Sequence, residues 1–170
     1  MRDNLNLEKE LKGLLSSPFS DMEIPNKIEI KFGRKAKRRF GSIKMSRDKT
    51  VSFITINGIF KNEFIPLEII QATIAHELCH YAHGFCSPLP QKYKMPHQGG
   101  VIKKEMAARG LIHLYNFEKK WSKENWAKVV SVQLPASPPR RHRRVKRRRE
   151  SHQSLELKRL LRSAIRQWLA

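Results

Sequence analysis

Residues 66–84 constrain this chain more than any other stretch. They read P-L-E-I-I-Q-A-T-I-A-H-E-L-C-H-Y-A-H-G. Proline is tolerated in a first helical turn, and glycine is a natural helix stop. The segment between them predicts one helix over Leu67–Ala82. Ile69, Ile70, Ile74, Leu78 and Tyr81 are its expected core contacts.

On that helix lies the pentapeptide H-E-L-C-H, His76 to His80. Positions i and i+4 share one helical face. His76 and His80 can therefore present two imidazole nitrogens to one metal ion, ~2.0–2.1 Å away for zinc. Glu77 lies beside them and can reach a water activated by that ion. A carboxylate there can take the water's proton and pass it to a leaving amine. This is the chemistry of a zinc peptidase. The blander reading is two packed or surface histidines with an incidental glutamate.

A catalytic zinc needs a third protein ligand and an open position. Three residues compete for the third place. His97 follows a proline-rich loop and opens the next helix, so the chain could bring it back over the metal. Glu105 lies midway along that helix. His83 is one step past the motif, but i, i+4 and i+7 on an unbroken helix diverge. His97 is the first choice and Glu105 the second.

The flanking chain predicts an α+β domain. Leu5–Leu15 has helical apolar spacing, with Pro18 and Pro25 in the loop after it. Lys27–Phe32 alternates apolar and charged residues, which is a strand signature. Phe40–Met45 and Thr50–Ile56 read as two more strands joined by a turn at Ser46–Lys49. Cys86–Pro96 holds three prolines and reads as a loop. Val101–Ala108 and Leu114–Val130 are further helices, the second carrying Phe117, Trp121 and Trp126. The expected domain is 1–130. A Pro-rich then Arg-rich disordered linker over 131–150 follows, and an amphipathic helix over 151–170, with its apolar stripe in Leu155–Leu169.

At this point a resemblance emerges. The run ITINGIF…PLEIIQATIAHELCHYAHGF…PHQGGVIKKEMAARG resembles the SprT-like (Spartan-type) zinc metalloprotease family over residues 25–115. The resemblance implies a zincin-like fold: a short three-stranded sheet packed on the H-E-x-x-H helix, followed by further helices. It implies zinc ligands at His76, His80 and His97, one Zn²⁺, and Glu77 as general base. It also implies proteolysis at DNA, including cleavage of proteins crosslinked to it. The C-terminal zinc ribbon of many relatives is not expected in this stretch, since no cysteine follows Cys86 in it.

Charge points the same way. Among 170 residues, 35 Lys/Arg face 15 Asp/Glu, a formal net charge of +20. Such a surplus suits a polyanionic partner, nucleic acid before an anionic membrane, and the resemblance implies DNA before RNA. Two segments are the candidate contacts. One is Arg34, Lys35, Lys37, Arg38 and Arg39; the other is Arg140, Arg141, Arg143, Arg144, Lys146, Arg147, Arg148 and Arg149. The first run alone could be a solvated face, but beside a net charge of +20 phosphate contact is the preferred reading; the second could also be a nuclear-localisation-type signal or a solubilising tail. The alternative to the enzyme is a non-catalytic, zinc-containing nucleic-acid-binding protein. Cys79 and Cys86 form no disulfide framework, and neither an apolar leader nor a membrane-spanning run is visible. The expected setting is intracellular: cytoplasm or nucleoid, or a nucleus. Cys79 is expected as a packed small residue, and Trp121 and Trp126 as caps on the core.

Overall fold

Alternation in the sequence becomes a mixed three-stranded sheet in the computed structural model, which describes residues 1–134. β1 (Lys27–Phe32) pairs parallel with β3 (Val51–Ile56), and β2 (Gly41–Met45) pairs antiparallel with β3. The order β1-β3-β2 leaves β3 in the centre and β2 at an edge. Ser52, Ile54 and Ile56 of β3 and Ile30 of β1 are buried on one face.

Two strand starts differ from expectation by one residue. Thr50 belongs to the turn, because its N–H donates to Asp48 Oδ1 at 3.2 Å and Lys49 before it has φ 62°. Phe40 leaves the sheet because its ring is claimed elsewhere. It packs edge-on against Phe60 and Trp126, with centroids 5.2 and 4.6 Å away.

α1 (Asn4–Ser16) starts with a reciprocal cap. Asp3 Oδ1 accepts from the Asn6 N–H, and Asn6 Oδ1 accepts from the Asp3 N–H. It buries Leu7, Leu11 and Leu14. α2 (Leu67–Ala82) has the expected bounds, and Ile69, Ile70, Ile74, Leu78 and Tyr81 are all fully buried. Each such side chain contributes about 1.5–3 kcal/mol of hydrophobic stabilisation. Gly84, at φ 79°, turns the chain out of the helix.

α3 (Val101–Ala108) also has the expected bounds, but His97 does not open it. A short 3₁₀ turn, Gln98–Gly100, comes first, with Gly99 and Gly100 both at positive φ. α4 (Ile112–Gln133) is longer than the expected Leu114–Val130 and passes the expected domain end at 130. α2 packs against α1, β2, β3, α3 and α4. It is the axis of the domain, and its buried length holds the two motif histidines in place. Pro135, Pro138, Pro139, the basic run Arg140–Arg149 and the segment Leu155–Leu169 lie outside the described residues.

Candidate metal centre

The helical spacing of His76 and His80 brings their Nε2 atoms to 3.1 Å. His97 Nε2 is 3.2 Å from His76 Nε2. A tetrahedral ion with ~2.0–2.1 Å bonds holds its ligand nitrogens about 3.3–3.4 Å apart. The three donors therefore lie close enough together to bind one metal ion. Among the described residues they form the group whose ligand atoms all lie within 4.8 Å of one another.

Their protonation suits a ligand role. Burial, helped by the charges of His80, His97 and Lys119, lowers His76 to about 3. Burial, then His97 and His83, lowers His80 to about 4. Both imidazoles are neutral at pH 7, as metal ligation demands. His80 Nδ1 is buried without a hydrogen-bond partner among the described residues.

The other two candidates for third ligand are occupied with each other. His83 Nε2 lies 3.2 Å from Glu105 Oε2. Glu105 Oε1 accepts from Arg109 Nε at 2.8 Å, and Arg109 also bonds Pro18 O and Asp21. Burial works to raise the Glu105 carboxyl, but the bonds to His83 and Arg109 outweigh it and leave it lowered. Neither residue joins the three-histidine group.

Glu77 is almost wholly buried at the foot of the same cleft. Burial raises its pKa to about 7, with the Ile43 backbone opposing to a smaller degree. A base poised near neutrality is what proton transfer at pH 7 favours. Its carboxylate approaches edge strand β2 closely because Gly41 has no side chain. A Cβ there would lie 2.8 Å from Glu77 Oε1 and 2.7 Å from Thr73 Cγ2.

The cleft has a volume of about 840 Å³. Its floor is His76, Glu77, His80 and His97. β2 residues Gly41, Ser42 and Ile43 form one wall, and α4 residues Glu118, Lys119 and Ser122 form another. Lys37, Arg38 and Arg39 line its rim, whereas Arg34 and Lys35 do not. The basic loop is pinned there by specific bonds. Trp126 Nε1 donates to Lys37 O at 2.9 Å, and Asn57 Nδ2 donates to Ala36 O and Arg39 O at 2.7 and 2.8 Å. Lys35 turns away and donates to Gln133 Oε1 at 2.8 Å.

Glu118 and Lys119 had no sequence signal. They reach the cleft only because α4 packs on α2. Burial raises the Glu118 carboxyl, with Lys119 opposing. Cys79 is fully buried, away from the ligands, and Cys86 is exposed on the cleft lining. Trp126 packs in the Phe40–Phe60 cluster, and Trp121 is partly buried beside it. No helix among the described residues is long and apolar enough to cross a membrane. No protein-family model, no curated protein and no solved structure matches this chain.

Proposed function

We propose that this chain is a zinc-dependent endopeptidase of SprT-like type and zincin-like fold, acting on proteins at or near nucleic acid. The observation that carries the reading is the three-histidine cluster beside a buried glutamate in one open cleft. His76, His80 and His97 would hold Zn²⁺, which when bound supplies Lewis acidity at the scissile carbonyl. Glu77 takes the proton of the attacking water and hands it to the leaving amine. Its burial and raised pKa support that role. A structural zinc site needs no such base, which favours the enzyme over a non-catalytic binding protein.

β2 supports a peptide substrate. It is an edge strand bordering the cleft, and an extended chain can pair with such an edge through its main chain. The positive rim of Lys37, Arg38 and Arg39 supports a polyanion held beside the cleavage site, and the family resemblance favours DNA over RNA as that polyanion. The two free cysteines fit an intracellular setting.

The deciding experiment is proteolysis of a DNA-bound protein by the zinc-loaded chain, with and without single-stranded DNA. Cleavage that requires zinc and Glu77 supports the enzyme. Zinc retention with no cleavage under any condition leaves the non-catalytic binding protein.

A further inference from the structure

We propose that His83 is a positioning residue that seats His97 at the metal centre, an inference that rests on the zinc reading above. His97 is exposed, and the hydrogen-bond and ring contacts of its side chain among the described residues are with His76 and His80. Its placement therefore depends on how the chain on either side is held.

That chain is tied to His83 on both sides. Before His97, the Lys92 N–H donates to His83 O at 3.0 Å, and the Tyr93 ring packs edge-on against the His83 ring, centroids 4.9 Å apart. After it, Glu105 of α3 bonds His83 Nε2. The excursion from α2 to α3 is thus closed at its base by one residue: the His83 carbonyl holds Lys92, and its ring, only 1% exposed, meets Tyr93 and Glu105. Closing a loop costs entropy, and a loop left open spreads its ligand over many positions.

The chemistry of the ring suits the task. A carboxylate can only accept, so His83 Nε2–H is the donor to Glu105. Nδ1 is buried and without a partner among the described residues. Glu105 cannot swing away, because Arg109 holds its other oxygen and is itself fixed to the α1–β1 loop through Pro18 O and Asp21. A histidine that merely filled the core would give a different result from one that closes this strap.

Zinc affinity by chelator competition, with hydrogen exchange on the metal-free proteins, separates the two. His83→Phe keeps the ring packing and loses the bond. Glu105→Ala removes the same bond from a less buried position. Each should weaken zinc by about tenfold or more, the usual cost of losing a residue that orients a ligand. His83→Gln, which can still donate to Glu105, should recover most of that loss. Exchange should quicken across residues 84–97 and stay unchanged in α1 and the sheet. Wild-type zinc affinity in Glu105→Ala, or exchange that rises evenly over the whole domain, would overturn the proposal; Glu105→Ala decides should His83→Phe not fold. A wild-type chain that binds no zinc would sink the metal reading instead, and exchange confined to 84–97 would still support the strap.

Discussion

Gly41 and Glu77 meet so closely that a Cβ on residue 41 would fall 2.8 Å from Glu77 Oε1. Gly41→Ala should therefore displace the carboxylate or the β2 edge. The three histidines are untouched, so zinc should be retained. Small misplacements of a catalytic group can cost up to about 100-fold in rate. The expected outcome is a fall in kcat of that order at unchanged zinc content, measured by steady-state peptidase kinetics and metal analysis. Full activity in Gly41→Ala would show that Glu77 does not need this space.

Metal analysis after dialysis should find about one zinc per chain. His97→Ala leaves two protein ligands and should lose retained zinc. Glu105→Ala should keep the same stoichiometry when zinc is saturating, though at lower affinity. The reverse pattern, with Glu105→Ala losing the metal and His97→Ala keeping it, would reassign the third ligand.

Glu77→Gln preserves shape but cannot accept a proton. It should hold zinc as tightly as the wild type and lose peptidase turnover by about 10²–10⁴-fold. Unchanged turnover would remove Glu77 as the base.

The raised Glu77 carboxyl sets a pH dependence in the metal-free protein. Its folded value, about 7, exceeds the ordinary 4.5, so the folded state binds the proton more tightly. Its favourable contribution is complete below 4.5 and is lost as pH rises through 7. Each pKa unit corresponds to ~1.4 kcal/mol, so the loss over about 2.5 units is on the order of 3–4 kcal/mol at most. Metal-free Glu77→Gln should thus match the wild type in melting temperature at pH 4.5 and exceed it at pH 8. The buried histidines act oppositely. With folded values near 3 and 4, His76 and His80 destabilise the fold as pH falls below 6.5. That acid-side loss should persist in the variant, and an unchanged alkaline side would contradict the assignment to Glu77.

Binding to nucleic acid should weaken with salt, with a log–log slope of about −0.7 to −0.9 per phosphate contact. Residues 1–134 alone hold 23 Lys/Arg against 13 Asp/Glu, so a chain ending at Leu134 should still bind, with a flatter slope. Replacing Lys37, Arg38 and Arg39 by alanine in that shorter chain should flatten it further, because these residues line the cleft rim. Replacing Arg34 and Lys35 should do less. Titrations against single- and double-stranded DNA at several salt concentrations read both effects. Equal slopes for the full and shortened chains would take residues 140–149 off the phosphates.

Local rules were enough for most elements and for two of the three clustered histidines. The bounds of β1, α2 and α3 follow from apolar period, Pro66 and Gly84, all short-range signals. His76 and His80 converge because four residues on a helix return to the same face. The small errors have local causes of a different kind: Asp48 draws Thr50 into the turn, and an aromatic cluster draws Phe40 off the sheet.

Spacing along the chain determined the H-E-x-x-H helix, the three strands, and the chemistry that two histidines and a glutamate can perform there. Only the tertiary structure decided the rest. The parallel pairing of β1 with β3 made β2 the edge beside Glu77. The bond between His83 and Glu105 engages the two other candidates with each other, and His97 is the residue that joins His76 and His80. Packing of α4 on α2 brought Lys119 to the cleft, and the Trp126 bond pinned Lys37 at its rim. The physical reason is range. A helix or strand is fixed by interactions among residues a few positions apart, whereas these placements join groups from 21 to 89 positions apart, whose meeting depends on how every element between them packs.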